Sequence, residues 1–275
     1  MIKKYKTPNN LFIEEIKSLI GHAKYEHTFL MNIISDTLDG NVKCYYAWII
    51  ADNKENWIIG YWSVNYMLFG KNWTAKQLKE ANEIIQPKRF KNYHFSGTRK
   101  LMEEFEILNE NISFENFKLR NFYMAVSLIS FESKIINARL AKNEDIDELA
   151  QMRCDYYQNE YRGQNNKPLH EMTEKVKEEV RNQEVYLATD QADFIVGFCT
   201  ILDIETIGIL FIKEKYRNKG YGKSLSYFVT KKLLEHSDKC FLMTDINNDS
   251  SNKVAEIIGY RKIYEYSDKI INNCG

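Results

Sequence analysis

Ile207-Gly-Ile-Leu-Phe-Ile-Lys-Glu-Lys-Tyr-Arg-Asn-Lys-Gly-Tyr-Gly222 reads as a strand that runs through a glycine turn into a helix. Its first six residues are an apolar run with β-branched ends, which suits a buried strand. From Tyr221 onward the apolar period changes. Leu225, Phe228, Val229 and Leu233 share one helical face, while Lys223, Thr230 and Lys231 fall elsewhere. Gly220 and Gly222 can adopt positive φ and let a ligand approach the main chain without meeting a Cβ, where a helix begins with unpaired N–H groups and a partial positive charge. Such a place binds phosphate.

Two familiar phosphate loops do not fit. Gly222-Lys-Ser224 ends like a Walker A loop, but the first glycine of that pattern would stand at Arg217. A dinucleotide fingerprint needs a third glycine, and Leu225 occupies its place. The remaining pattern, Arg-x-x-Gly-x-Gly between an apolar strand and an amphipathic helix, resembles the acetyl-CoA pyrophosphate loop of the GNAT acyltransferases.

Met243-Thr-Asp-Ile-Asn-Asn-Asp-Ser-Ser-Asn-Lys-Val-Ala-Glu-Ile-Ile-Gly-Tyr260 is similar to the second half of the same domain, where a strand ends at Thr-Asp, an Asn opens a short helix and Gly-Tyr closes it. The matching positions are Thr244, Asp245, Asn248, Ser251, Asn252, Lys253, Val254, Ala255, Ile258, Gly259 and Tyr260. The resemblance covers roughly residues 135 to 275, with one departure: Ala255 stands where the family usually has Tyr.

Composition narrows the classes. Lys plus Arg and Asp plus Glu each number 38, so no global basic field favours nucleic acid or an anionic membrane. Hydrophobic residues at 44% supply a packed core, and three prolines leave little room for disordered linkers. Cys44, Cys154, Cys199, Cys240 and Cys274 are scattered and odd in number, which argues against a disulfide framework and a zinc site. No apolar run approaches the roughly 18 residues of a membrane span, and no signal-peptide core follows the first residues. A cytoplasmic protein is expected, with no metal.

Along the N-terminal half, Phe12, Ile16, Leu19 and Ile20 mark a helix face, and a second helical segment runs to about Leu38. Tyr45–Ala51 and Trp57–Phe69 read as two strands joined by Asp52-Asn-Lys-Glu-Asn56. Thr74 and Gln77 form a capping box for a helix stopped by Pro87. A strand at Tyr93–Phe95, a helix from Thr98 to Leu108 and a β-rich run at Phe117–Phe131 follow. This order resembles a degenerate copy of the acyltransferase fold without the Arg-x-x-Gly-x-Gly turn, Ser96-Gly-Thr98 being its only candidate.

Near Ser133 the chain changes unit. Ile135–Leu140 reads as a strand and Asn143 as the cap of the next helix; a charged helix covers His170–Asn182, and Val185–Thr189 with Phe194–Leu202 form a hairpin around Asp190-Gln-Ala-Asp193. The expected domains are 1–132, degenerate and GNAT-like, and 133–275, acetyl-CoA-binding. The fold class is α+β, layered, with a central mixed and mostly antiparallel sheet flanked by helices in two tandem domains.

The resemblance implies an N-acetyltransferase that uses acetyl-CoA, with an amine, small or peptidyl, attacking the thioester directly. Nucleic acid and membrane are not expected partners. Main-chain groups of Leu210, Phe211 and Ile212 match the pantetheine and thioester positions. Arg217, Asn218, Lys219, Gly220, Tyr221, Gly222 and Lys223 match the pyrophosphate loop, and Asn248 and Asn252 the cofactor contacts of the following helix. Asn252 has two readings, as cap and as contact. Ala255 cannot donate a proton, so Tyr260 or Tyr264 stands in as acid for the thiolate, and Asp203 and Glu205 beside the central strand are candidate bases through water. His170 falls in the segment that borders the acceptor in such folds. The alternative is a catalytically weak or inactive acyl-CoA-binding regulatory or scaffold module.

Overall fold

The computed structural model describes the chain except for residues 1, 130–136, 161, 162, 164, 165 and 273–275. One order of elements occurs twice: strand, two helices, three strands, helix, strand, helix, strand. The first pass is β1 (Ile2–Tyr5), α1 (Asn10–Ile20), α2 (Thr28–Leu38), β2 (Tyr46–Ala51), β3 (Trp57–Trp62), β4 (Tyr66–Lys71), α3 (Ala75–Ile85), β5 (Tyr93–Thr98), α4 (Arg99–Leu108) and β6 (Ser113–Ala125). The second is β7 (Asn137–Leu140), α5 (Ile146–Glu160), α6 (Leu169–Arg181), β8 (Val185–Thr189), β9 (Ile195–Ile201), β10 (Ile207–Ile212), α7 (Tyr221–Leu234), β11 (Cys240–Asp245), α8 (Asp249–Ile258) and β12 (Arg261–Asn272). No helix among the described residues is long and apolar enough to cross a membrane.

Local chemistry accounts for most boundaries. Both bonds of the Thr74–Gln77 capping box are present, Gln77 N to Thr74 Oγ1 at 3.2 Å and Thr74 N to Gln77 Oε1 at 2.8 Å. The run Trp57–Phe69, read as one strand, is two, because Ser63 N turns back onto Asn65 O at 2.9 Å between β3 and β4. Asn143 does not cap α5. The chain enters α5 through a 3-10 turn, Asn143–Asp145, in which Asp145 accepts from Lys142 N at 2.7 Å while it pairs with Arg139. On α7, Leu225, Val229 and Leu233 are buried as expected, but so is Thr230, whose hydroxyl donates to Ser226 O at 2.7 Å.

The chain divides into two compact units, Met1–Phe122 with Asp245–Asn247 and Ile263–Gly275, and Tyr123–Thr244 with Asn248–Lys262. The boundary expected at 132/133 lies outside the described residues. In the first unit β1, β2, β3 and β4 pair antiparallel in that order, β4 pairs parallel with β5, and β12 lies antiparallel on β5 from Tyr266↔Thr98 to Ile271↔Tyr93. Trp48, Ile58, Leu68, Phe95, Leu101 and Phe105 are among the buried residues that join this sheet to α3 and α4.

In the second unit β7, β8, β9 and β10 form an antiparallel sheet covered on both faces. Val185 and Leu187 face α5 and α6, and Ala188 faces α7 and α8, as the two-residue period of a strand requires. The pairing of β10 with β9 shifts between Ile207 and Leu210. That bulge lets Ile207, Leu210 and Ile212 share the α7 face although their numbering alternates.

Candidate functional site

Among the described residues, the chain around β10 and β11 meets at a parallel bridge, Thr206↔Phe241, with Phe241 N on Glu205 O at 2.7 Å. Beyond it β10 is the edge of its sheet. Lys213 N bonds to Val196 O at 2.9 Å, so alternation turns the main-chain groups of Leu210 and Ile212 away from β9 toward the open edge. At the bulge, Ile209 N is satisfied by the buried hydroxyl of Thr200 at 2.8 Å. Gly208 allows it: a Cβ there would meet that hydroxyl at 2.5 Å.

After β10 the chain makes a 3-10 turn at Glu214–Tyr216 and enters α7 through Asn218 (φ 59) and Gly220 (φ 88, ψ −2). No side chain caps α7 and no acid occupies its first turn, so its N–H groups face outward unneutralised. Gly222 lies inside the helix without positive φ, which corrects the expectation for that residue. Its Cβ would stand 3.4 Å from Ile212 Cγ1 and 4.0 Å from Leu210 Cδ2, so its bareness provides room rather than conformational freedom. Arg217 is fixed, donating from Nε to Ile212 O at 3.0 Å with its guanidinium 5.7 Å over the Phe211 ring. Tyr216 donates to Asp190 Oδ2 at 3.1 Å.

These parts bound a cleft of about 490 Å3, closed by the last turn of α5 and the first turn of α8. Leu210, Phe211, Ile212, Arg217, Asn218, Gly220, Gly222, Lys223 and Asn248 line it. Lys219, Tyr221 and Asn252 are not part of its lining. Lys219 Nζ sits 5.7 Å over the Tyr216 ring, and the Tyr221 ring meets Tyr216 edge-on at 5.7 Å. Asn248 is the cap of α8, accepting from Ser251 N at 3.0 Å, which settles the cap away from Asn252. Asn252 Oδ1 instead accepts from the Tyr123 hydroxyl at 3.2 Å and from Thr244 Oγ1.

Tyr156, Asn159 and Glu160 of α5 and Ser250, Ser251 and Val254 of α8 also line the cleft. Sequence reasoning missed the α5 group. Its signal was the i, i+3, i+4 spacing that puts these polar side chains on one helical face.

Residues 185–267 match the family described as FR47-like protein. Three solved structures share the fold over nearly the whole chain. An acetyltransferase from the GNAT family of Colwellia psychrerythraea has TM-score 0.59 and 13% identity, covering 99% of this chain and 100% of that one. A GCN5-related N-acetyltransferase from Sphaerobacter thermophilus has TM-score 0.57 and 12% identity, covering 98% and 95%. The fold is the GNAT fold. A Drosophila protein solved by structural genomics also shares it, with TM-score 0.56, 12% identity and coverage of 99% and 98%. No curated protein sequence matches the chain.

Within this GNAT unit the expected acid and bases are not at the cleft. Asp203 and Glu205 precede β10, at the opposite end of that strand from Ile212. Asp203 Oδ1 accepts from Glu205 N at 2.8 Å within the hairpin, and Glu205 Oε1 accepts from Ser237 Oγ at 2.9 Å, tying the hairpin to the loop after α7. Tyr260 is core: its hydroxyl is within 2.9 Å of Thr230 Oγ1 and 3.0 Å of Cys240 Sγ, and burial pushes the phenol well above its ordinary value. Ala255 is 1% exposed, packed beside Tyr123, Ile258 and Tyr260. Tyr264 belongs to the first unit, where it donates to Thr98 at 2.9 Å. His170 is exposed in the first turn of α6. Glu160 is the one carboxylate among the residues that line the cleft.

The first unit closes the corresponding place. Its β4 and β5, the topological counterparts of β10 and β11, pair at Tyr66↔Phe95, Met67↔Ser96 and Leu68↔Gly97. Gly97, expected in a turn, lies in β5 at φ 150, where a Cβ would fall 1.7 Å from Leu68 O. Thr98 extends the seam by accepting from Gly70 N at 3.0 Å. A Cβ on Gly70 would be 3.0 Å from Leu101 and 3.1 Å from Trp73, and Trp73 is pinned to Glu104 at 2.6 Å. Among the described residues no group of three His, Cys, Asp or Glu is placed to hold a metal.

Proposed function

We propose that the second unit is an N-acetyltransferase that uses acetyl-CoA and an amine acceptor, small or peptidyl. One observation carries the reading: the strand edge left open between β10 and β11 runs into a helix N-terminus free of acids, within one cleft. The residues fit the cofactor. The outward main-chain groups of Leu210 and the N–H of Ile212 form a polar edge of the kind a pantetheine arm pairs with, Ile212 O being held by Arg217. The first-turn N–H groups of α7, with Lys223 and the glycine at 222, suit a pyrophosphate. Acetyl-CoA supplies the activated acyl group; the chain supplies position, and an outward N–H of the β10 edge supplies a donor for a carbonyl oxygen.

Glu160 is the candidate to accept the proton of the amine, since it is the carboxylate residue among those that line the cleft. Asp203, Glu205 and Tyr260 are not proposed for catalysis. Buried Ala255 favours a second reading, a CoA-binding module without turnover, because the family's usual acid cannot be at that position.

Calorimetry with acetyl-CoA and CoA release with a panel of amines separate the readings. Binding with turnover supports the transferase. Binding without turnover across a broad panel supports the module, and no binding defeats both.

A further inference from the structure

The first unit carries a second cleft, of about 430 Å3, where β2 and β4 begin and β3 ends. It is far along β4 from the sealed seam at Gly70, and it meets the C-terminal rather than the N-terminal end of α3. Tyr45, Tyr46, Trp62, Tyr66 and Phe90 make its walls. Trp62 lies 5.2 Å from the Tyr45 ring and 5.1 Å from Phe90, which it meets edge-on. Its indole N–H is committed to Tyr93 Oη at 3.1 Å, and that hydroxyl donates to Ser63 O at 2.6 Å. The indole is thus locked among Tyr45, Tyr66 and Phe90, with its half-buried ring on the wall of the cleft.

Charge converges on the same place. Lys4 and Arg89 line the cleft against one carboxylate, Glu83, and Lys43 holds its ammonium 5.0 Å over Tyr45. Among the described residues none of these three cations has an ion-pair partner, and Arg89 Nη1 donates to Gln86 Oε1 at 3.3 Å. Arg89 reaches the cleft because Gln86, in the left-handed region at φ 51, turns the chain out of α3 into the 3-10 turn Pro87–Arg89. A residue with a Cβ held there is a strained choice of the kind found at ligand clamps. A volume of this size, aromatic walls and a few converging polar groups are the marks of a small-molecule site.

We propose that this cleft binds a planar aromatic anion, its ring against Tyr45 and Trp62 and its charge met by Lys4 and Arg89. The proposal is independent of the acetyltransferase reading.

The test is calorimetry of the full chain with phenyl phosphate, and with inorganic phosphate, benzyl alcohol and benzylamine as probes of each half and of the opposite charge. Repeating it in Gly222→Val, whose added side chain enters the other cleft, separates the two sites. Phenyl phosphate should bind at one site in the wild type and in Gly222→Val. Its affinity should fall by about tenfold or more in Lys4→Gln/Arg89→Gln, which alters only exposed side chains, and in Trp62→Leu. Absence of binding, equal binding of inorganic phosphate, tighter binding of benzylamine, or loss confined to Gly222→Val would each overturn the proposal.

Discussion

Arg153 of α5 donates from Nη2 to Oε1 of Glu179 on α6 at 2.6 Å, with the arginine side chain 4% and the glutamate 13% exposed. Among the described residues Arg153 Nε and Nη1 and Glu179 Oε2 have no hydrogen-bond partner, and burial lifts the Glu179 pKa in spite of the guanidinium beside it. The pair ties two helices together at a net cost in desolvation. Glu179→Ala, which leaves the cation buried and alone, should destabilise by about 3–5 kcal/mol, whereas Arg153→Met/Glu179→Leu should be neutral or stabilising. Urea unfolding of the variants checks both; equal losses in the single and the double variant would defeat the account.

Gly220 and Gly222 should respond differently. Gly220 sits at φ 88, so Gly220→Ala should cost about 1–2 kcal/mol and loosen the turn. Gly222→Ala meets only ordinary contacts and should leave stability within about 0.5 kcal/mol. Gly222→Val should fold and yet lower acetyl-CoA affinity by about tenfold or more, because its methyl groups reach into the lining beyond Ile212. Melting curves beside calorimetry distinguish conformational from steric loss.

If the second unit transfers acetyl groups, Glu160→Gln should reduce amine turnover by about 10²–10⁴-fold. Acetyl-CoA affinity should not change. A turnover rate like that of the wild type would take Glu160 out of the chemistry.

Coenzyme A should saturate the full chain at one molecule per chain. The seam from Leu68↔Gly97 to Thr98 leaves the first unit no open strand edge at that place. A second equivalent site in calorimetry would show that the seam opens.

His27 sets an acid limit on stability. Trp57, Phe69 and Tyr264 surround its ring at 5.6, 5.3 and 5.7 Å, and Nδ1 has no hydrogen-bond partner among the described residues. Burial first, and the charge of Lys71 second, lower its pKa from 6.5 to about 4. The unfolded chain therefore takes up a proton before the folded one does. Stability is intact above pH 6.5 and falls by about 3 kcal/mol as pH drops toward 4. Denaturation across that range should show the slope in the wild type and a weaker one in His27→Phe.

The glycine turn proposed to hold the cofactor was legible as a turn because it depends on main-chain geometry that only a few residue types permit. Arg217-x-x-Gly220-x-Gly222 placed the turn, and a change of apolar period placed α7. The catalytic candidates were less legible because side-chain fate depends on partners distant in sequence. Nothing local shows that Tyr260 is held by Thr230 and Cys240, or that Asn252 faces Tyr123. Strand adjacency was hidden for the same reason: the residues of β12 carry no mark of their pairing with β5.

That pairing bears on the order in which the protein can be made. The first unit's sheet keeps a place between β5 and β6 that β12 fills, and β12 is synthesised only after all of the second unit's helices. While the ribosome is still translating, the early half has a gap in its sheet, with two strand edges unsatisfied and open to other chains. Nascent chains arrested after Ile258 should be cut readily by protease within β5 and β6, and those extended through Asn272 should resist.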